Sequence, residues 1–540
     1  MKLLEQNVKT IMEECKVRAR GAGLKFDDES LEYIVTNQDM IELSPKGMIS
    51  TMYNYWVNDV EILKGKGQYK LYPHNPFETV INSRPAISYY NDNNPDWMNI
   101  MIFYHVLGHI DFFQNNILFE HTWKDDFVGQ ALADKRLIEK FRSNYGRWVD
   151  YIIEFSRGID NLVGYFTKLA KMNLPKNMNP TPKLDYYFSE FLEKEINAPI
   201  TEFYKEIDRF NKLLESNSLI AEQIFFSDIK KIYPEFESKF ERFTAIYSEQ
   251  YIDIIEFIRD NSPFLKKDGN DWMRAVMNIV RDTAMYFAPQ IRTKTINEGW
   301  ASYWHDTMFR SDDRISGYES EYAVLNSMVT SLSRVGYNPY AIGLRLLQYV
   351  EYLGDTGKIT WDFQKIHNAE LRESYDSKKK EGKQYLFDVR TNFSDLMLIN
   401  TFIDQDFVDF HNLFVVGQRI DPQRGKMQYY VKSRKADDYK KMIINNMYHP
   451  PYIKVDLSKT NDSLLYLKHH FEGKQLYKQY IPETLMGIEF LWQGNNSNAL
   501  IQLETTEIIP KRDNNGEILS LEYRPVLYTM KDRKLSKRNL

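Results

Sequence analysis

The stretch MNIMIFYHVLGHIDFFQNN, residues 98–116, decides how the chain is read. It is too long for a buried strand and too apolar for a surface helix, which predicts a helix packed on every side. His105 and His109 stand one turn apart, so both imidazoles leave the same face. Two nitrogens so placed can meet one ion at about 2.0–2.1 Å. Phe112, Phe113 and Asn116 continue that face. Asp111 lies on another face and is expected to orient a neighbour. From the spacing alone, two core histidines are the commoner outcome. The zinc-peptidase motif HExxH also carries a glutamate as general base, and position 106 here is Val.

A second segment, TKTINEGWASYWHDTMF at 293–309, changes that balance. Glu298 is expected to start a helix capped by Asn297, with Ala301, Ser302 and His305 on its inward stripe. Zinc sites often draw two ligands from one helix and a third from a later one. Seven residues separate Glu298 from His305, about 10 Å along a helix, so only one of them is expected to join the ion. Glu298 is preferred, by analogy with zinc peptidases whose downstream helix supplies a glutamate. His305 then serves proton transfer or oxyanion support. The reverse assignment, with Glu298 as the base, stays open.

The rest of the sequence bounds these readings. With 540 residues, two or three domains are expected. A net charge of −5 shows no basic excess of the kind nucleic-acid binding needs. No apolar run is long enough to span a membrane. The first 20 residues lack the pattern of a signal peptide. One cysteine, Cys15, rules out internal disulfides and fits a reducing cytoplasm, so any metal must use His, Asp and Glu.

Apolar residues at three- and four-residue spacing predict helices over 162–172, 186–194, 203–214 and 240–259. Residues 173–183 read as a loop, and 79–90 as a short extended pair around Pro85. The polar run 372–384 predicts a linker between a helical domain, 1–371, and an α+β domain, 385–540. In the latter, 413–419 and 427–431 read as a hairpin, 435–447 and 482–492 as helices. Strands are expected at 452–456, 464–468, 499–504, 506–510 and 518–523.

Longer motifs then come into view. HVLGHIDFFQNN (105–116) and PQIRTKTINEGWASYWH (289–305) resemble the two signatures of the SpoVR family, named for stage V sporulation protein R. INSRPAISYY (81–90), YGRWVDYII (145–153), GYNPYAIGLRL (336–346) and IPETLMGIEFLWQ (481–493) are similar to further parts of it. The resemblance implies a role in spore cortex formation, hence modified peptidoglycan, or in envelope and stress physiology. The EGWAxxW stretch is also similar to one in zinc peptidases with an HExxxGH helix. That likeness implies a metallopeptidase-like helical domain acting as a zinc-dependent hydrolase on a murein-derived or other peptide. The resemblance thus implies Zn²⁺ on His105, His109 and Glu298, with His305 or another cleft carboxylate moving the proton.

Arg281, Gln290, Arg292, Lys294 and Asn116 are candidate substrate-binding residues; a surface or interdomain salt bridge explains the cations equally well. Trp300 and Trp304 read as core, His74 as a loop residue, and Tyr340 as structural though able to reach a cleft. The strand pair His469-His470 points to opposite faces and cannot share an ion. Protein partners are expected through the C-terminal domain. The rival expectation is a non-catalytic scaffolding or regulatory protein with a structural metal or none. A di-iron carboxylate protein ranks last, because no pair of Glu-x-x-His helices is present.

Overall fold

The computed structural model describes all residues except 1, 4–5, 38, 41–77, 124–125, 166–167, 170–171, 174–180, 197, 217–219, 248–252, 334–335, 421–425, 448–449, 495–498 and 513–517. His74 therefore lies outside the described residues. The chain is mostly helical, with a sheet-containing C-terminal region.

The central element is the His105 helix, Asp96–Asn115. Pro95 caps its start, where Pro's missing N–H costs nothing, and Asp96 complements the positive end of the dipole. Every residue from Ile100 to Phe113 is buried, as its all-round apolarity demands. Burying each of Phe103, Leu107 and Phe112 contributes about 1.5–3 kcal/mol. The Glu298 helix, Lys294–Phe309, lies across it. Their backbones meet where Gly108 faces Ala301: a Cβ on Gly108 would stand 2.8 Å from the Ala301 Cα. On its other side the Glu298 helix packs against the Tyr340 helix, Pro339–Thr356, through a Gly299–Gly343 contact. Trp300 and Trp304 are fully buried in this core, as expected.

The Glu298 helix begins four residues earlier than the sequence suggested. Asp395, from the helix Asp395–Phe402, accepts from the Thr295 and Ile296 backbone amides, each at 2.8 Å. The cap thus comes from a distant segment, and Asn297 is left for another task.

An N-terminal sheet has the order β1 (Lys2–Leu3), β2 (Ser30–Val35), β4 (Ala86–Asn91), β3 (Glu78–Ile81). The pairing of β3 with β4 matches the expected extended pair. β2 was missed because Glu32 interrupts its apolar pattern, and it pairs in parallel with a strand more than fifty residues on. β3 lies against the His105 helix.

The expected hairpin is β5 (Val415–Ile420) with β6 (Met427–Ser433). A five-stranded sheet has the order β11 (Lys534–Asn539), β10 (Ile518–Lys531), β9 (Leu500–Arg512), β8 (Leu464–His470), β7 (Tyr452–Val455). The two strands expected at 499–510 are one continuous strand, because the full ladder with β10 runs across Thr505. The helix expected over 240–259 is two, Phe236–Tyr247 and Ile254–Asn261.

Two cores dominate. One surrounds the His105 helix and takes side chains from between Met12 and Ile359 and from between Leu386 and Ile443. The other joins the helices Trp148–Asp160, Asp271–Arg292 and Ile481–Gln493 to the five-stranded sheet. Side chains from both sides of 372–384 share each core, so packing is continuous across that stretch. A smaller aromatic core, including Tyr187, Phe225 and Phe236, holds the helices between 181 and 247. Among the described residues no helix is long and apolar enough to cross a membrane.

Candidate metal centre

The crossing of the His105 and Glu298 helices brings three donors together. His105 Nε2 and His109 Nε2 lie 3.1 Å apart. Glu298 Oε2 is 3.6 Å from His109 Nε2 and 3.9 Å from His105 Nε2. Around one tetrahedral ion with bonds of about 2.0–2.1 Å, ligand atoms stand roughly 3.3–3.4 Å apart. The observed triangle brackets that spacing. His105, His109 and Glu298 are the one such group of metal-ligating side chains among the described residues.

Proton positions sharpen the point. Asn297 presents Oδ1 to His109 Nδ1 at 3.0 Å, so that nitrogen donates to it. Asn326 Nδ2 donates to Asp306 Oδ1 at 3.3 Å, and its Oδ1 accepts from His305 Nε2 at 3.2 Å. His305 Nδ1 is then bare and accepts from His105 Nδ1 at 2.9 Å. The Ala301 carbonyl also accepts from the His105 ring. His105 Nε2 is bare in turn. The Nε2 atoms of both ligand rings and a carboxylate oxygen thus face one another. Glu298 Oε2 is buried without any hydrogen-bond partner. Three protein donors is the number that catalytic zinc sites use, where structural sites use four.

The surroundings shift the titration of these groups in opposite directions. Burial, reinforced by His109 and His305, holds His105 well below the ordinary histidine range. Burial likewise depresses His305 to about 4, against the opposing pull of Asn326 and Asp306. Burial pushes the Glu298 carboxyl up, while His109, a hydrogen bond from Tyr340 and the charge of Lys294 pull it down. Glu78, at the start of β3, is a second carboxyl within electrostatic reach of Glu298: burial and then repulsion by Glu298 raise it to about 8. Both Glu78 and Glu298 act on the Tyr340 phenol.

Behind the ligands, Asp111 does orient a neighbour: Trp300 Nε1 donates to it at 2.9 Å and the Lys25 amide at 2.7 Å. Its burial raises it to about 6, opposed mainly by Arg390.

The expected substrate-binding residues are not gathered here, Lys294 apart. Asn116 caps the end of the His105 helix and is fully buried; its Nδ2 donates to the Arg390 and Phe393 carbonyls. It was misplaced because the helix ends at Asn115, which turns the next side chain away from the histidine face. Arg281 is buried in the other core, clamped to Asp253 at 2.7 Å and Glu256 at 3.1 Å, a buried ion pair rather than the surface or interdomain one considered. Arg292 donates to the Gly164 carbonyl. Gln290 is half-buried near the end of its helix, Asp271–Arg292. His305 has both ring nitrogens engaged behind His105. His469 and His470 separate as expected, His469 against Thr505 at 2.8 Å and His470 against Tyr452.

Sequence reasoning missed Glu78, Asn297 as a histidine partner, Asn326 and Asp395. Only Asn297 had a signal: it precedes Glu298 within a signature. The others come from separate segments with no spacing pattern to tie them to the site.

A family model described as SpoVR like protein matches residues 3–449. Over 341 residues the chain is 26% identical to the uncharacterized protein YcgB of Escherichia coli (strain K12), a match covering 59% of this chain and 59% of that protein. No solved structure matches the chain.

Proposed function

Because the chain belongs to the SpoVR-like family, matched across residues 3–449, we propose that it is a sporulation- or envelope-stress-related metal-dependent hydrolase of amide bonds. Its metallopeptidase-like helical core would act in the cytoplasm on a murein-derived or other peptide. The observation that carries this reading is the close triangle of His105 Nε2, His109 Nε2 and Glu298 Oε2. Two imidazoles and a carboxylate are the ligand set of His₂Glu zinc hydrolases. When bound, such an ion supplies Lewis acidity toward a carbonyl oxygen and acidifies water.

The chain's own groups then have separate tasks. Asn297 and His305 hold the two ligand rings in register, the role that partners of metal-bound histidines commonly fill. Val106, fully buried, cannot be the base that HExxH supplies. Glu78, raised to about 8 by burial and Glu298, is protonated at neutral pH and would give a proton to a leaving group rather than take one from water, and Tyr340 donates to Glu298 to steady its carboxylate. Lys294, exposed at the start of the Glu298 helix, is the cation available to a substrate carboxylate.

Val106 also favours a second reading, a non-catalytic scaffold with a structural metal or none. One experiment separates them. Metal content of the purified protein is measured by mass spectrometry beside a His105→Ala/His109→Ala variant. About one zinc per chain, lost in the variant, supports the site and justifies assays on murein peptides. No stoichiometric metal in chelator-free wild type sinks the hydrolase.

A further inference from the structure

The two ligand histidines differ in what stands behind them. His109 leans on a single amide, Asn297. His105 leans on a chain: His305, then Asn326, then Asp306. Asp306 is in turn held by Arg310 Nε at 2.8 Å and by the Tyr322 hydroxyl. Histidine and asparagine can each donate or accept at either end, so neither alone fixes a direction. An ionised carboxylate can only accept. Asp306 therefore forces Asn326 to turn its NH₂ outward and its oxygen toward His305. That places the His305 proton on Nε2, makes His305 Nδ1 an acceptor, and draws the His105 proton onto Nδ1.

Resting on the reading of His105, His109 and Glu298 as metal ligands, we infer that His305, Asn326 and Asp306 form a polarised positioning chain that keeps His105 Nε2 free for the metal. His305 is then neither the third ligand nor the proton carrier; it is a positioning residue. The Ala301 carbonyl also holds the His105 ring, so breaking the chain weakens metal binding without abolishing it. The outer end is open: Asn326, Tyr322 and Arg310 line a cavity of about 650 Å³. An isosteric change there needs no repacking.

The test uses the full-length protein and reads metal affinity, by competition of Zn²⁺ against a chromophoric chelator, with the visible spectrum of the Co²⁺ form as a second readout. Asp306→Asn keeps shape and removes the polarity. It is expected to lower affinity about tenfold, the low end for partners of metal-bound histidines, and to alter the Co²⁺ bands. His305→Leu should do the same or worse. His305→Gln should recover affinity to within about threefold, because its oxygen accepts from His105 while its NH₂ donates to Asn326. Circular dichroism checks that each variant is folded, and Asp306→Asn carries the test if His305→Leu is not. Wild-type affinity in Asp306→Asn overturns the chain and leaves the metal site standing. Equal loss in His305→Gln and His305→Leu also overturns it, since a ligand cannot be replaced by an amide. Absence of metal binding in the wild type removes both.

Discussion

Gly108 lies between the two histidines in sequence and at the crossing of the two ligand-bearing helices in space, which makes Gly108→Ala a sharp test. A Cβ there would sit 2.8 Å from the Ala301 Cα, 3.4 Å from its Cβ and 3.5 Å from its N. Carbon atoms pack at about 3.5–4.0 Å, so the backbones must part by roughly 0.7 Å or more. Ala301 Cα is backbone and cannot swing aside. Two effects oppose each other in stability. Alanine is better than glycine inside a helix by about 1 kcal/mol, while overpacking costs about 1–3 kcal/mol. The variant should fold with a net loss of about 0–2 kcal/mol. Metal binding should suffer more, because ligand distances tolerate only about ±0.2 Å and the shift moves Glu298 away from both imidazoles at once. A tenfold or greater loss of Zn²⁺ affinity is expected. Urea unfolding of the metal-free protein and chelator competition measure the two quantities. A variant that gains about 1 kcal/mol and binds metal like wild type would show that the helices do not meet as described.

Four other outcomes follow from the same geometry. Gly343→Ala puts a Cβ 2.1 Å from the Thr295 carbonyl oxygen, so it should cost more than Gly108→Ala and reduce soluble yield; comparable unfolding midpoints would contradict it. Asp395→Ala removes the cap of the Glu298 helix and should cost about 1 kcal/mol or more, read by urea unfolding. Chelation of metal-loaded protein should lower stability by about 2.7 kcal/mol when free metal had been at 100 times Kd, while His109→Ala should not respond to chelator. Finally, burial alone would raise the Asp312 carboxyl, but Arg314 and the Tyr104 hydroxyl hold it down to about 2 from the ordinary 3.8. A depressed carboxyl contributes stability that is complete above pH 3.8 and lost as pH falls through 2, here about 2 kcal/mol. Unfolding free energies between pH 5 and 2 should fall less steeply in Asp312→Asn than in wild type.

The sequence by itself determined which side chains share a face. Residues 98–116 are apolar enough to be central, and 3.6 residues per turn puts His105 and His109 together whatever surrounds them. The second segment could be recognised as a helix offering Glu298 or His305, and Trp300 and Trp304 as core. Local chemistry also marked the hairpin near 420 and most strands of the C-terminal sheet. Tertiary structure decided the rest. Which of Glu298 and His305 faces the Nε2 atoms depends on how the two helices are rotated against each other, and that is set where Gly108 meets Ala301. The start of the Glu298 helix depends on Asp395, about a hundred residues away. Asn116 shared a face on paper, but the helix ended one residue too soon. Glu78 and Asn326 reach the centre from a strand and a later helix, and the polarity running back from Asp306 arises only once three segments are folded together. Periodicity fixes faces within one element; contacts between elements choose which faces meet.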